Sequence, residues 1–242
     1  MSDIKLKAFE KMSALELFVF VLLSIGSGVM VGIGGVSSLI ANATLGELGR
    51  LVGATLFSLG IFAIVTYNMK LFTGMVAEIP NLGIKNCWRL PVCFIANAFG
   101  VALVATLAYY SPVSEIVTTQ SEKLIATKLS FDNWAIRAFC SSILCGILIT
   151  ISVKSRRYAT QKGMSATLGV IFPIIVFAFC GFDHSVANIL YLFYYGEVSW
   201  RIVGYIVIAF LGNLVGGVVF PIVSKLREYT EKEKAERQLE NK

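Results

Sequence analysis

Charge is scarce in this chain. Asp, Glu, Lys and Arg together make up 15% of its 242 residues, 56% are hydrophobic, and the mean hydropathy is +0.75. That composition cannot coat a soluble domain, and the length excludes a single membrane anchor. Cysteine is sparse too. Cys87, Cys93, Cys140, Cys145 and Cys180 are odd in number, lie in or beside apolar stretches and form no Cys-x-x-Cys. They read as reduced packing residues rather than a metal or redox centre. Histidine occurs once, at His184. No Walker motif, zinc signature, Gly-x-Ser-x-Gly or glycine-rich nucleotide loop is present, so no metal, cofactor or enzymatic activity is expected.

What the chain does have is apolar runs. A helical span needs about 20 apolar residues, and six such stretches stand out, at about 14–40, 51–68 continuing brokenly to 79, 90–110, 134–153, 164–193 with an interruption, and 202–224. The expectation is an all-α integral membrane protein of six transmembrane helices in the cell membrane. The first run exceeds the ~7–15 residues of a signal-peptide core and no small-residue cleavage site ends it, so it should remain as a span.

The net charge of +6 could suggest a nucleic-acid partner, but its distribution does not. Fifteen of the 21 Lys and Arg fall before span one, at Lys85 and Arg89, at Lys154, Arg156, Arg157 and Lys162, and from Lys225 onward. Five lie on the other side, at Arg50, Lys123, Lys128, Arg137 and Arg201. The positive-inside rule then places both termini in the cytoplasm. Lys70 belongs to neither side. Residues 1–228 read as one six-helix domain, and 229–242 as a charged cytoplasmic tail whose Glu and Lys alternate like those of a solvated helix.

Two spans are broken. Span two runs apolar from Leu51 to Tyr67, is interrupted by "NMKLFTG" and resumes as "MVAEIP" up to Pro80; span five runs to Cys180, is interrupted by "GFDHS" and resumes as "VANILYLFYY". Polar groups at membrane depth cost several kcal/mol unless they face protein or a water-filled cavity. Each break falls in the second span of its half. Span three carries Asn97-Ala-Phe-Gly100 and span six Asn213-Leu-Val-Gly216. Three spans per half make the halves opposite in orientation, so about 14–110 and 134–224 form an inverted repeat with a substrate path at its interface. Gly26, Gly28, Gly32, Gly34 and Gly35 in span one, and Gly212, Gly216 and Gly217 in span six, suit close helix packing.

The resumed halves should start at about Thr73-Gly74 and His184-Ser185, turning two helix N-termini, which favour anions, toward one cavity. Lys70 would add a full charge beside one of them, unless it snorkels along the wall to an interface. A lone histidine is ordinarily packing, but at a helix break His184 reads as functional. Asp183 is either its counter-ion or the N-cap of the resumed helix, and the cap is favoured. Thr73 can cap, donate into the cavity, or both. Phe57, Ile61, Phe72 and Phe177 are core packing by default. Glu16 and Glu78 should sit at the cytoplasmic boundary.

"KLFTG" and "GFDHSVANIL", together with the two Asn-x-x-Gly pairs, resemble the formate/nitrite transporter family over roughly residues 14 to 226. The resemblance implies an aquaporin-like fold with helices 2 and 5 broken, and a pentameric homo-oligomer in the lipid bilayer with one path per protomer. It implies a substrate path along Lys70, Thr73, His184, Asn188 and Asn213. It puts a cytoplasmic constriction at Leu71, Phe72 and Val153, and an outer one at Phe57, Ile61 and Phe177. Formate and nitrite channels usually carry an acidic residue before "LFT", where this chain has Lys70, and many carry an asparagine where it has Thr150. Those departures look like the branch that conducts hydrosulfide. The expected function is therefore a channel or facilitator for small monovalent anions, hydrosulfide first and formate, nitrite or chloride after it. Its rivals are a neutral-solute channel of aquaporin type and a membrane enzyme using His184 and Asp183.

Overall fold

The computed structural model describes residues 12–82, 86–159, 164–197 and 199–240, with the side chains of 156–159, 164–166 and 240 outside that description. The charge count above draws on Lys5, Lys7, Lys11, Lys85, Arg156, Arg157, Lys162 and Lys242, which lie outside it too. Among the described residues every regular element is helical: α1 (Ala14–Thr44), a 3-10 turn (Gly46–Leu48), α2 (Gly49–Thr66), α3 (Phe72–Val76), α4 (Ile79–Leu82), α5 (Arg89–Tyr109), α6 (Ser114–Leu129), α7 (Trp134–Ala159), α8 (Met164–Cys180), α9 (Ser185–Tyr195) and α10 (Trp200–Glu240). Five helices are long and apolar enough to cross a membrane, and the pair α8 and α9, bent by 40° at its break, supplies a sixth span.

Local sequence sets the ends. Ser13 and Glu16 form a reciprocal capping box at the start of α1, Glu16 N–H donating to Ser13 Oγ at 3.2 Å and Ser13 N–H to Glu16 Oε2 at 2.7 Å. The 41 residues of α10 reach about 60 Å at 1.5 Å per residue, twice the ~30 Å hydrocarbon thickness. Its C-terminal part therefore projects as a polar helix, laced by the Arg227–Glu231 and Arg237–Glu233 pairs at 2.7 and 2.5 Å.

The halves pack alike. In the first, α1 lies against α2 and α5; in the second, α7 lies against α8 and α10, and α2 meets α8 between them. Glycine permits the close crossings. A Cβ at Gly28 would sit 2.0 Å from Asn97 O and one at Gly100 2.1 Å from Ile25 O, while Gly146 and Gly216 bring α7 and α10 together at Asn213 O and Ile143 O in the same way.

Two features differ from the sequence expectation. After the first break only the five-residue α3 forms before the turn at Ala77 and Glu78, so the resumed half of span two is one helical turn. And residues 114–129, counted above only as a loop carrying Lys123, are helical: Val117, Ser121, Ile125 and Leu129 recur every fourth residue and are buried against α9 and α1.

Candidate functional site

The two breaks repeat one backbone device. The first helix closes with a left-handed residue, Asn68 at φ 54° and Gly181 at φ 72°. The next N–H reaches back five residues, Met69 to Ile64 O at 2.9 Å and Phe182 to Phe177 O at 3.0 Å. Both are Schellman closures, which need a left-handed conformation that glycine and asparagine tolerate best.

Beyond the closure, one asparagine clamps each loop. Asn97 Oδ1 accepts Phe72 N–H at 2.8 Å, and its Nδ2 donates to Lys70 O at 2.9 Å and Ser24 O at 2.7 Å. Asn213 Oδ1 accepts Ser185 N–H at 2.8 Å, and its Nδ2 donates to Asp183 O at 2.9 Å and Ser142 O at 2.8 Å. Lys70 thus matches Asp183, Leu71 matches His184 and Phe72 matches Ser185. The repeat visible in sequence as Asn-x-x-Gly is a repeated hydrogen-bond pattern.

The breaks meet at the centre. Thr73 Oγ1 lies 3.1 Å from His184 Nε2, both residues being buried. His184 is itself the N-cap of α9, its Nδ1 accepting Ala187 N–H at 3.0 Å. Nδ1 is therefore the bare nitrogen, the proton sits on Nε2, and Nε2–H donates to Thr73 Oγ1. The Thr73 hydroxyl hydrogen is left to point elsewhere. Asp183, favoured above as the cap, is not one. Its carboxylate accepts from Lys128 Nζ at 2.5 Å, from Tyr205 Oη and from Asn188 Nδ2 at 3.2 Å.

Cavities flank this bond. On the face away from the termini one of about 330 Å³ is lined by Arg50, Lys123, Lys128, Phe57, Phe177 and His184 among others. The Phe57 and Phe177 rings stand edge to face at 5.5 Å, and Phe177 lies 5.8 Å from the His184 ring. Ile61 is fully buried one helical turn beyond Phe57. On the termini side a cavity of about 430 Å³ is lined by Asn68, Lys70, Leu71, Gly74, Glu78 and Val153 among others. Glu78 pairs with Lys154 at 2.8 Å.

Most of the expected site residues gather along this line, but Ile61 lines neither cavity, and Phe72 and Asn213 do not face the line. Phe72 stacks on Phe210 at 4.3 Å and meets Phe94 edge to face at 5.4 Å. Its ring packs between α5 and α10, held by the Phe94 and Phe210 rings, rather than narrowing the termini-side cavity. Asn213 commits its carbonyl and amino groups to backbone, so it holds the loop instead of presenting to a solute. Asn188 does line the first cavity, beside Asp183. The Lys128–Asp183–Tyr205 cluster was missed, its partners being 55 and 22 residues from Asp183. The four-residue spacing in α6 was the available signal.

The chain resembles known proteins over most of its length. It is 27% identical over 216 residues to "Uncharacterized transporter YrhG" of Bacillus subtilis (strain 168), covering 80% of this chain and 77% of that protein. It is 26% identical over 235 residues to "Probable formate transporter" of Methanothermobacter thermautotrophicus, covering 83% and 85%. Among solved structures, "Pentameric formate channel with formate bound" superposes with a TM-score of 0.77 at 19% identity, over 90% of this chain and all of that one, a likeness of fold. The profile of the formate/nitrite transporter family matches residues 3–226, nearly the whole chain, and on that match this protein belongs to the formate/nitrite transporter family.

Proposed function

We propose that the protein is a channel or proton-coupled facilitator for small monovalent anions, with hydrosulfide its main substrate. The observation that carries this reading is the His184–Thr73 bond, set between two cavities that each bear lysine. A bare anion entering an apolar constriction suffers a desolvation cost of many kcal/mol unless partners replace its water. Lys70 on one side and Arg50 and Lys123 on the other raise the local anion concentration, while Lys128 is paired with Asp183. Phe57, Ile61 and Phe177 on one side, and Leu71 and Val153 on the other, exclude water and larger solutes. At the centre Nε2–H polarises the Thr73 hydroxyl, whose hydrogen is donated to the anion, and the N-terminus of α9 adds partial positive charge.

His184 works as a hydrogen-bond donor, not a proton reservoir. Protonating Nδ1 would set N–H against the N–H of Ala187 and undo the cap of α9. Hydrosulfide suits such a site, because its conjugate acid is neutral with a pKa near neutrality and crosses an apolar layer without a strong proton donor. A second reading, formate, is favoured by the likeness to a probable formate transporter and to a formate channel. The charge distribution supports cytoplasmic termini, and the likeness to a pentameric formate channel supports a pentamer, within which the family resemblance implies one path per protomer.

Flux of hydrosulfide, formate, nitrite and chloride into liposomes tests this. Hydrosulfide should pass fastest. Lys70→Ala should lower its entry about tenfold by removing the steering charge. His184→Asn keeps a side-chain cap but cannot reach Thr73, and should lower flux about 10- to 100-fold, the worth of a hydrogen bond to a charged group. Equal rates for all four anions, unaltered by either substitution, would sink the reading.

A further inference from the structure

Lys70 lines two cavities, the termini-side one described above and a lateral groove of about 500 Å³. Leu15, Val19 and Leu23 of α1 form the groove's apolar wall, and Lys70 and Arg89 its basic end. Leu15 is 70% and Val19 44% exposed on the single chain, an apolar face that can take an acyl chain. The Lys70 N–H donates to Leu23 O at 3.3 Å. Its Cα therefore lies nine residues, or about 13 Å, along α1 from that helix's start, a depth from which a lysine side chain snorkels back toward the interface.

Arg89 opens α5, and its Nε is buried with no hydrogen-bond partner among the described residues. Beside it Trp88 lies 5.9 Å from the guanidinium, an indole and a cation together at the level of a membrane interface. The groove's one carboxylate, Glu16, accepts the Ser13 N–H and also lies within electrostatic reach of Arg89, a single negative charge against the two cations. Two cations, an orphaned guanidinium nitrogen and an apolar wall fit a phosphate head joined to an acyl tail.

We propose that this groove binds one anionic phospholipid, with its phosphate between Lys70 and Arg89 and an acyl chain along Leu15 and Val19, and that the contact draws Lys70 away from the termini-side cavity. The lipid site stands by itself, whereas its effect on conduction rests on the anion path proposed above.

Protein taken from vesicles of mixed phosphatidylglycerol and phosphatidylcholine into neutral detergent is weighed by native mass spectrometry. Wild type should retain about fivefold more phosphatidylglycerol than R89Q, the worth of one cation near anionic lipid. R89K should retain it, and phosphatidylcholine should be held equally by all. L15E places a carboxylate on the groove wall in the first turn of α1, where a helix tolerates it, and tests the site independently should R89Q not fold. Equal phosphatidylglycerol retention by wild type, R89Q and L15E overturns the site, and equal loss in R89K and R89Q overturns the role of charge. In flux, phosphatidylglycerol should slow wild type more than R89Q, since the vesicle surface potential acts on both alike. Equal slowing with unequal retention overturns the coupling through Lys70 and leaves the lipid site standing. No anion flux from any chain overturns the path alone.

Discussion

A chain carrying Gly216→Ala should lose its folded, monodisperse state. The added methyl would lie 2.0 Å from the Ile143 carbonyl oxygen, a backbone atom that cannot swing aside as a side chain can. The crossing of α7 and α10 would have to open by about 1 Å to restore ordinary contact in a close-packed interior. Overpacking costs about 1–3 kcal/mol where side chains yield, and more where backbone must. The strain would spread, because Asn213 clamps the second break from one turn away on α10. The matching Gly100→Ala change, 2.1 Å from Ile25 O, should do equal harm in the first half. Thermal melting followed by size-exclusion elution checks this, with Gly204→Ala as control. There the nearest atom is Trp134 Cη2 at 3.5 Å, an ordinary contact, and the shift should stay within about 0.5 kcal/mol. A Gly216→Ala protein that melts with wild type would show that the crossing is looser than its backbone geometry implies.

Asn213→Leu should be about as severe, by a different route. Leucine nearly keeps the volume, so no cavity opens, but three hydrogen bonds vanish. The Ser185 N–H and the Asp183 carbonyl lose their partner in a buried loop where water cannot replace it, at roughly 1–3 kcal/mol each. The loop carrying His184 would then be free to shift, and a displacement of an ångström parts Nε2 from Thr73. Lower melting temperature and lost anion flux should appear together. Asn97→Leu should behave alike, since the same three bonds recur in the first half. If either variant melts and conducts like wild type, the clamp is dispensable.

How much of this was legible in the sequence depends on how far apart the interacting residues lie. Both breaks were legible, because neither "NMKLFTG" nor "GFDHS" can hide in an apolar run. The pairing of the halves was legible too, through Asn-x-x-Gly and the position of each break. Phe57 and Phe177 were named together and do stand ring to ring. What failed was direction and partnership. Asp183 is a better cap by residue type than His184, yet Lys128 and Tyr205, from distant helices, take its carboxylate, and the ring next to it caps instead. Phe72 was placed by its neighbours in the motif, but its ring lies between Phe94 and Phe210. The five residues of α3 could not be foreseen from an apolar stretch reaching Pro80. Helix α6 is hard to see in the sequence because its single buried stripe is surrounded by Glu, Lys and Thr, which by composition resemble a solvated loop.

The matched loops hold unlike contents. Where one asparagine clamp positions Lys70 and then Leu71, the other positions Asp183 and then His184. Asp183 is cancelled by Lys128, so neither mouth of the proposed path is left acidic by this exchange, but the two approaches differ in order. From the termini side a solute meets a cation, then an aliphatic cap, then the hydrogen-bonding centre. From the opposite side it meets Arg50 and Lys123, then the paired phenylalanines, and reaches the imidazole with no aliphatic cap between. Two breaks held by the same asparagine clamp thus carry unlike side chains, and in the proposed path a difference between inward and outward rates should trace to those side chains rather than to the clamp that holds them.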